Sequence, residues 1–203
     1  MLTLSFTTNK DTLDILELYK PYILNTAITF ETEVPSLNEF QARIDSLAFK
    51  YPYIVLKSDS ELIGYAYASP FHERSAYGWN VDWSIYIKET YHGKHFATIL
   101  FKVLRDILKE LGYLRIYALV TSANKISMKM HEKLGFTKCG IWKHTGYKHN
   151  KWYDVTVYEY IIDEPNVPKP TTLIVNYDER KLQAILDKYN KELEEINLWS
   201  QES

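Results

Sequence analysis

Between Ile85 and Val120 the chain reads strand, glycine-bearing turn, long amphipathic helix, glycine stop and second strand. Ile99, Leu100, Val103, Leu104, Ile107, Leu108 and Leu111 recur at helical spacing and make one apolar stripe. Gly112 stands where that helix should stop, and residues 115–120 read as a buried strand. Such a unit requires a sheet with a helix packed on its face.

The flanking patterns supply the rest of that sheet. Leu2, Leu4 and Phe6 alternate with polar residues and predict an opening strand. Asp11 begins a short helical pattern through Leu13, Leu16 and Leu18 that Pro21 interrupts. Ser36 and Glu39 form a capping box ahead of Phe40, Ile44 and Leu47, which predicts a helix over about residues 36–50. Residues 53–57 and 62–68, joined by a polar turn, predict a hairpin. Alternation in its second strand puts Ile63, Tyr65 and Tyr67 on one face and Gly64, Ala66 and Ala68 on the other. Further strands are expected over 81–87, 137–148 and 152–161, and a helix over 124–134 closed by Gly135. The fold class is mixed α/β, with both hairpins and crossovers.

Three of the seven prolines fall within residues 163–170 and mark a linker. The division is therefore a main domain over 1–163, a proline-containing linker over 164–177, and a C-terminal amphipathic helix with tail over 178–203. Leu182, Ile185, Leu186, Tyr189, Leu193 and Ile196 give that helix an apolar face. It needs a partner, either the main domain or a second subunit.

Charge narrows the function classes. With 24 Lys+Arg against 26 Asp+Glu the net charge is −2, so a strongly basic nucleic-acid surface is excluded. No apolar run reaches the roughly 18 residues of a membrane span, and the start lacks a signal-peptide pattern. A cytoplasmic protein without membrane or nucleic-acid partners is expected. Cys139 is the one cysteine, which rules out disulfide frameworks. His92 with His95, and His144 with His149, lack further ligands at metal-site spacing, so no metal is expected. Trp79, Trp83, Trp142 and Trp152 read as core and pocket walls.

The turn Tyr91-His92-Gly93-Lys94-His95-Phe96-Ala97 opens the long helix. Unpaired amides and the positive dipole end at such a place suit a phosphate or pyrophosphate, although an ordinary turn carries the same signal. The motif Asn124-Lys125-Ile126-Ser127, then His131-Glu132-Lys133-Leu134-Gly135-Phe136, adds to it. In this order the chain resembles the GNAT superfamily of acyl-CoA-dependent N-acetyltransferases. Phe30-Glu31-Thr32, Gly64-Tyr65-Ala66-Tyr67-Ala68, Pro70-Phe71 with Arg74, Ala76 and Tyr77, and Val81-Asp82 ahead of Tyr86 refine the match. Together with Gly146-Tyr147-Lys148-His149, Trp152 and Asp154 they are similar to the phosphinothricin N-acetyltransferase-like branch, over roughly residues 2–162.

The resemblance implies a GNAT fold, a mixed and mostly antiparallel sheet flanked by helices, here with an extra C-terminal helix. It implies acetyl-CoA as cosubstrate, a small-molecule amine of the phosphinothricin or methionine sulfoximine type as acceptor, direct transfer, and a homodimer. A protein N-terminus, a polyamine or an antibiotic as acceptor, or a non-catalytic CoA-binding role, are the alternatives. Asp82 falls where the branch carries its base, and His131 where many members carry a tyrosine that protonates the leaving thiolate. Cofactor contacts fall on Ile85, Tyr86 and Ile87, on His92, Gly93, Lys94, His95, Phe96 and Ala97, and on Asn124, Ser127 and Lys129. Acceptor contacts fall on Phe30, Phe71, Arg74 and Tyr77.

His92 replaces the motif's Arg or Gln, and His95 replaces its first glycine. A side chain at 95 is expected to fit phosphate binding only where the backbone avoids positive φ. A base suits the chemistry, because neutralising a lysine-like amine at pH 7 costs about 4.6 kcal/mol and an α-amine only about 1 kcal/mol.

Overall fold

The elements expected from periodicity are all present. They are β1 (Leu2–Phe6), α1 (Thr12–Asn25), α2 (Leu37–Ala48), β2 (Tyr53–Ser58), β3 (Glu61–Pro70) and β4 (Asn80–Ile87). There follow α3 (Phe96–Glu110), β5 (Arg115–Thr121), α4 (Lys125–Lys133), β6 (Thr137–Lys148), β7 (Lys151–Ile161) and α5 (Glu179–Trp199). The computed structural model describes residues 1–199, with side chains described through Glu195. The strands form one sheet in the order β1-β2-β3-β4-β5-β7-β6. Every neighbouring pair is antiparallel except β4 and β5.

α1 and α2 cover one face of the sheet over Tyr53, Val55, Leu62 and Tyr65. The stripe of α3 fills the other, with Leu100, Val103, Leu104, Ile107 and Leu108 all fully buried. Ser36 and Glu39 make the reciprocal cap expected of them, and Gly112 and Gly135 take the positive φ of helix stops. Among the described residues no helix is long and apolar enough to cross a membrane.

Four expectations need correction. α1 continues through Pro21, because Ile15, Leu16, Tyr19 and Ile23 are buried on one face and outweigh the roughly 3 kcal/mol penalty of an interior proline. Ile63 does not share a face with Tyr65 and Tyr67. The register shifts between Leu56 and Lys57, so Ile63 is an extra residue and turns toward α3 with Ala66 and Ala68. Trp142 and Trp152 are about half exposed on the outer hairpin rather than walls of a core. The segment 164–177 is not a free linker: Thr172 N donates to Leu111 O at 2.9 Å and Ile174 N to Lys50 O at 3.1 Å.

The C-terminal helix docks on its own domain. Leu182, Leu186, Tyr189 and Leu193 are buried against the core formed with α3 and β1. Asn190 Oδ1 accepts from Leu4 N at 2.6 Å, and its Nδ2 donates to Leu4 O at 3.1 Å. That side chain pairs with the free edge of β1 as a neighbouring strand would. The face that periodicity left without a partner is covered within one chain, and so gives no ground for a second subunit. The side chain of Ile196 and residues 200–203 lie outside the described residues.

Candidate active site

The parallel pairing of β4 with β5 lasts three rungs, Asn80 with Arg115, Val81 with Ile116 and Asp82 with Tyr117. β5 goes on to pair with β7 through Thr121, and β4 with β3 through Ile87. Beyond Asp82 the two strands therefore part, and Ser84, Ile85, Tyr86 and Ile87 face β5 across a gap. Backbone groups on that flank are free for a ligand, since a strand interior normally pairs both edges.

Asp82 sits on the last shared rung. Its Oδ1 is buried with no hydrogen-bond partner among the described residues, and burial pushes its pKa up to about 7. A carboxylate in that position exchanges its proton near neutral pH, which is what a general base requires. Beside it Tyr117, its partner across the strands, stacks on Phe71 with centroids 4.2 Å apart. Tyr77 meets the Phe71 ring edge-on at 5.9 Å. Arg74 is exposed and forms no ion pair among the described residues, so its guanidinium is free for a carboxylate. Phe30 belongs to a different cluster, over Gly146 and 6.4 Å from Tyr153.

The helix-opening turn lies at the far end of the parted strands. Gly93 has φ +79 and nothing within 4 Å of a Cβ placed there, so the backbone rather than crowding calls for glycine. His95 has φ 63, so the condition expected of a side chain there, a backbone that avoids positive φ, is not met. The exposed imidazole leaves the left-handed backbone intact, at a cost of about 1 kcal/mol, and the loop keeps the shape that a glycine would give. Among the described residues the amides of Gly93, Lys94, His95, Phe96 and Ala97 have no acceptor, and the α3 dipole points the same way. Phe96 itself is buried in the core, and Lys94 Nζ lies 4.9 Å over the Tyr91 ring. His95→Gly should raise stability by about 0.5–1 kcal/mol and leave acetyl-CoA binding unchanged or tighter. Thermal melts and calorimetry read this, and a tenfold weaker binding would show that the imidazole itself holds the donor.

His92 is exposed, but its ring reaches back to the β4 flank. Its Nε2 lies 2.8 Å from Ile87 O and 3.1 Å from the Tyr22 hydroxyl, and that hydroxyl donates to Ile87 O at 2.5 Å. The Ile87 carbonyl is thus already occupied, which leaves Ser84–Tyr86 as the open part of the flank. Tyr86 packs edge-on against Tyr19 and Tyr22, at 4.8 and 5.1 Å. A cleft of about 750 Å³ opens beside Tyr22 and His92, with Thr26, Ile28, Lys88 and Ile126 also on its wall, while Asp82, Phe30, Phe71, Arg74 and Tyr77 do not line it. It is of the size that small-molecule sites take.

On α4, Asn124 is committed to capping, its Oδ1 accepting from Ser127 N at 3.0 Å. Ser127 Oγ is 3.2 Å from His131 Nδ1, and Lys129 is exposed. His131 is 3% exposed, packed on Trp83, Phe136 and Tyr158, with Nδ1 2.8 Å from Ser127 O. Burial pushes its pKa down to about 4, so the ring is neutral at pH 7. Burial and the bond to a carbonyl weigh against its expected role as acid and place the ring as a packing group. Tyr22 and Tyr117 were missed by sequence reasoning. Tyr117 had a signal in its place on the strand after α3. Tyr22 had none, since it follows a proline that appeared to end its helix. Among the described residues no three His, Cys, Asp or Glu are grouped to hold a metal ion.

The family model described as an acetyltransferase (GNAT) domain matches residues 4–157. A phosphinothricin N-acetyltransferase of Streptomyces viridochromogenes is 28% identical over 163 residues, which is 80% of this chain and 89% of that one. An L-methionine sulfoximine/L-methionine sulfone acetyltransferase of Salmonella typhimurium is 25% identical over 82% of this chain and 98% of its own length. Among solved structures, a GNAT superfamily phosphinothricin acetyltransferase of Sinorhizobium meliloti in complex with acetyl-CoA superposes with a TM-score of 0.79. It is 34% identical and covers 84% of this chain and 93% of its own. The parted strands, the open amides at the helix start and the half-buried carboxylate thus occur in a chain that belongs to the GNAT acetyltransferase family and is an N-acetyltransferase.

Proposed function

We propose that the chain transfers the acetyl group of acetyl-CoA directly to the amine of a small amino-acid-like molecule of the phosphinothricin or methionine sulfoximine type. The observation that carries this is Asp82, a half-buried carboxylate whose buried Oδ1 has no partner among the described residues, at the point where β4 leaves β5. The amides from Gly93 to Ala97 would hold the diphosphate, with the α3 dipole behind them. The open flank at Ser84–Tyr86 would meet the pantetheine amides and the oxyanion. Asp82 takes the ammonium proton, directly or through a water. The freed amine attacks the thioester carbon and the C–N bond forms with a tetrahedral oxyanion. Its collapse breaks the C–S bond, the thiolate leaves, and the nitrogen gives up its second proton to solvent. A thiol of pKa about 8.5 is a good enough leaving group to take its proton from solvent. Arg74 would pair with the acceptor's carboxylate, Phe71 and Tyr77 would wall one side of it, and Phe30, from its separate cluster over Gly146, would wall the other.

The test is a panel of amino acids with their sulfoximine, sulfone and phosphinate analogues, read by release of free thiol. Acceptor-dependent release from one of these classes is expected. No release from any of them, with acetyl-CoA shown by calorimetry to bind, overturns the reading in favour of another acceptor, a protein N-terminus, a polyamine or an antibiotic. The homodimer rests on the resemblance, and light scattering that finds only a 24 kDa species refutes it.

A further inference from the structure

Lys148 is 5% exposed, and its ammonium donates to the backbone carbonyl of Thr29 at 2.9 Å. Among the described residues it has no carboxylate in ion-pair range, an uncommon state for a lysine so deep. Burial lowers its pKa, and the nearby charge of Glu31 opposes that shift. Two residues earlier on the same face of β6 lies Gly146, where an added Cβ would fall 2.1 Å from Phe30 Cζ. Lys148 and Gly146 therefore hold consecutive residues, Thr29 and Phe30, of the loop between α1 and α2. Thr29 carries the connection inward. Its Oγ1 lies 2.7 Å from the Tyr19 hydroxyl and accepts from Glu31 N at 3.3 Å. Tyr19 in turn packs on Tyr86, on the open flank of β4.

We infer that Lys148 with Thr29, and Gly146 with Phe30, form a latch that fixes the α1–α2 loop against β6 and thereby sets which acceptors fit. Lys148 is a positioning residue, since it touches the loop and not the reacting atoms. The inference rests on the acetyl-transfer reading above, in which Phe30 walls the acceptor. Its physical part does not: a loop tied by one ammonium and one flat contact should open when either is removed.

Two substitutions test it in the full chain. Lys148→Met keeps the buried stem and deletes the donor, and Gly146→Ala drives a methyl into the Phe30 ring. Each should speed hydrogen exchange over residues 26–36 by about tenfold or more while leaving α3 and β5 protected. Each should raise the acceptor KM about tenfold, with the acetyl-CoA KM changed less than about twofold. Unchanged exchange over 26–36 in both variants overturns the latch. Faster exchange over the whole chain reduces Lys148 to a general stability role, which also overturns it. A freed loop with an unchanged acceptor KM overturns the claim on specificity. If wild type turns over no acceptor, the transferase reading fails by itself, and the exchange arm still decides the latch.

Discussion

Asp82→Asn is expected to lower kcat/KM for acetyl transfer by about 10²–10⁴, the loss that follows removal of a positioned base. The wild-type rate should rise through an ionisation near pH 7, set by burial of Asp82, and that limb should be absent from the variant. The same change should make the protein more stable above pH 7. Asp82 titrates at about 7 in the fold and near its ordinary 3.8 when unfolded. Between those values the folded chain keeps a proton that the unfolded chain has released, so stability falls as pH rises from 4 to 7 and stays lowered above that. About three pKa units correspond to at most roughly 4 kcal/mol.

His131 acts in the opposite direction over the same range. Its pKa is about 4 in the fold against 6.5 unfolded, so the unfolded chain gains a proton that the folded chain refuses. Its contribution is present above 6.5 and is lost as pH falls toward 4. In wild type the two slopes oppose each other. In Asp82→Asn the opposing slope is gone, and stability should drop visibly on acidification from 6.5 to 4. Denaturant melts across pH 4–8 with a pH–rate profile check all of this. A variant with wild-type rates at pH 8 would remove Asp82 from the chemistry.

Ending the chain at Asp178 is expected to abolish the folded state. Leu182, Leu186, Tyr189 and Leu193 of α5 are each 4% exposed or less, because they pack against the core formed with α3 and β1. At roughly 1.5–3 kcal/mol per buried side chain the loss is on the order of 6–12 kcal/mol, as large as the whole stability of an ordinary domain. The deletion also uncovers the backbone edge of β1 that Asn190 holds, which invites strand-to-strand aggregation. Graded variants keep the test readable. Leu186→Ala should cost about 2–5 kcal/mol, and Asn190→Ala about 1–3 kcal/mol with more aggregation on heating. A chain ending at Asp178 with the full-length melting temperature would show that residues 1–163 stand alone. That α5 lies beyond the 4–157 family match and is still part of the core makes it an integral addition to the fold.

Much of the site was legible in the order of residues because its parts are local. The stripe of α3, the turn before it and the helix of α4 each depend on neighbours within a few positions, and all stand where spacing predicts. His131 was misjudged for the complementary reason. Its place on α4 is readable, but whether that face meets the cleft or the core depends on Trp83 and Tyr158, which lie 48 positions before and 27 after it. Ile63 changed faces because one extra residue opposite Leu56 and Lys57 reverses the alternation, and that register belongs to the pair of strands. α1 ran through Pro21 because the sheet beneath it supplied burial that no local propensity includes.

The sequence by itself determined the elements, their order and the chemistry on offer, since periodicity, caps and motif spacing act over a few residues of chain. The tertiary structure decided where β4 and β5 part, which groups lose water, and that the C-terminal helix closes its own domain. Those outcomes come from contacts between segments far apart in the chain. Burial shifts Asp82 toward neutrality and takes His131 out of use, and burial is a property of the packed molecule.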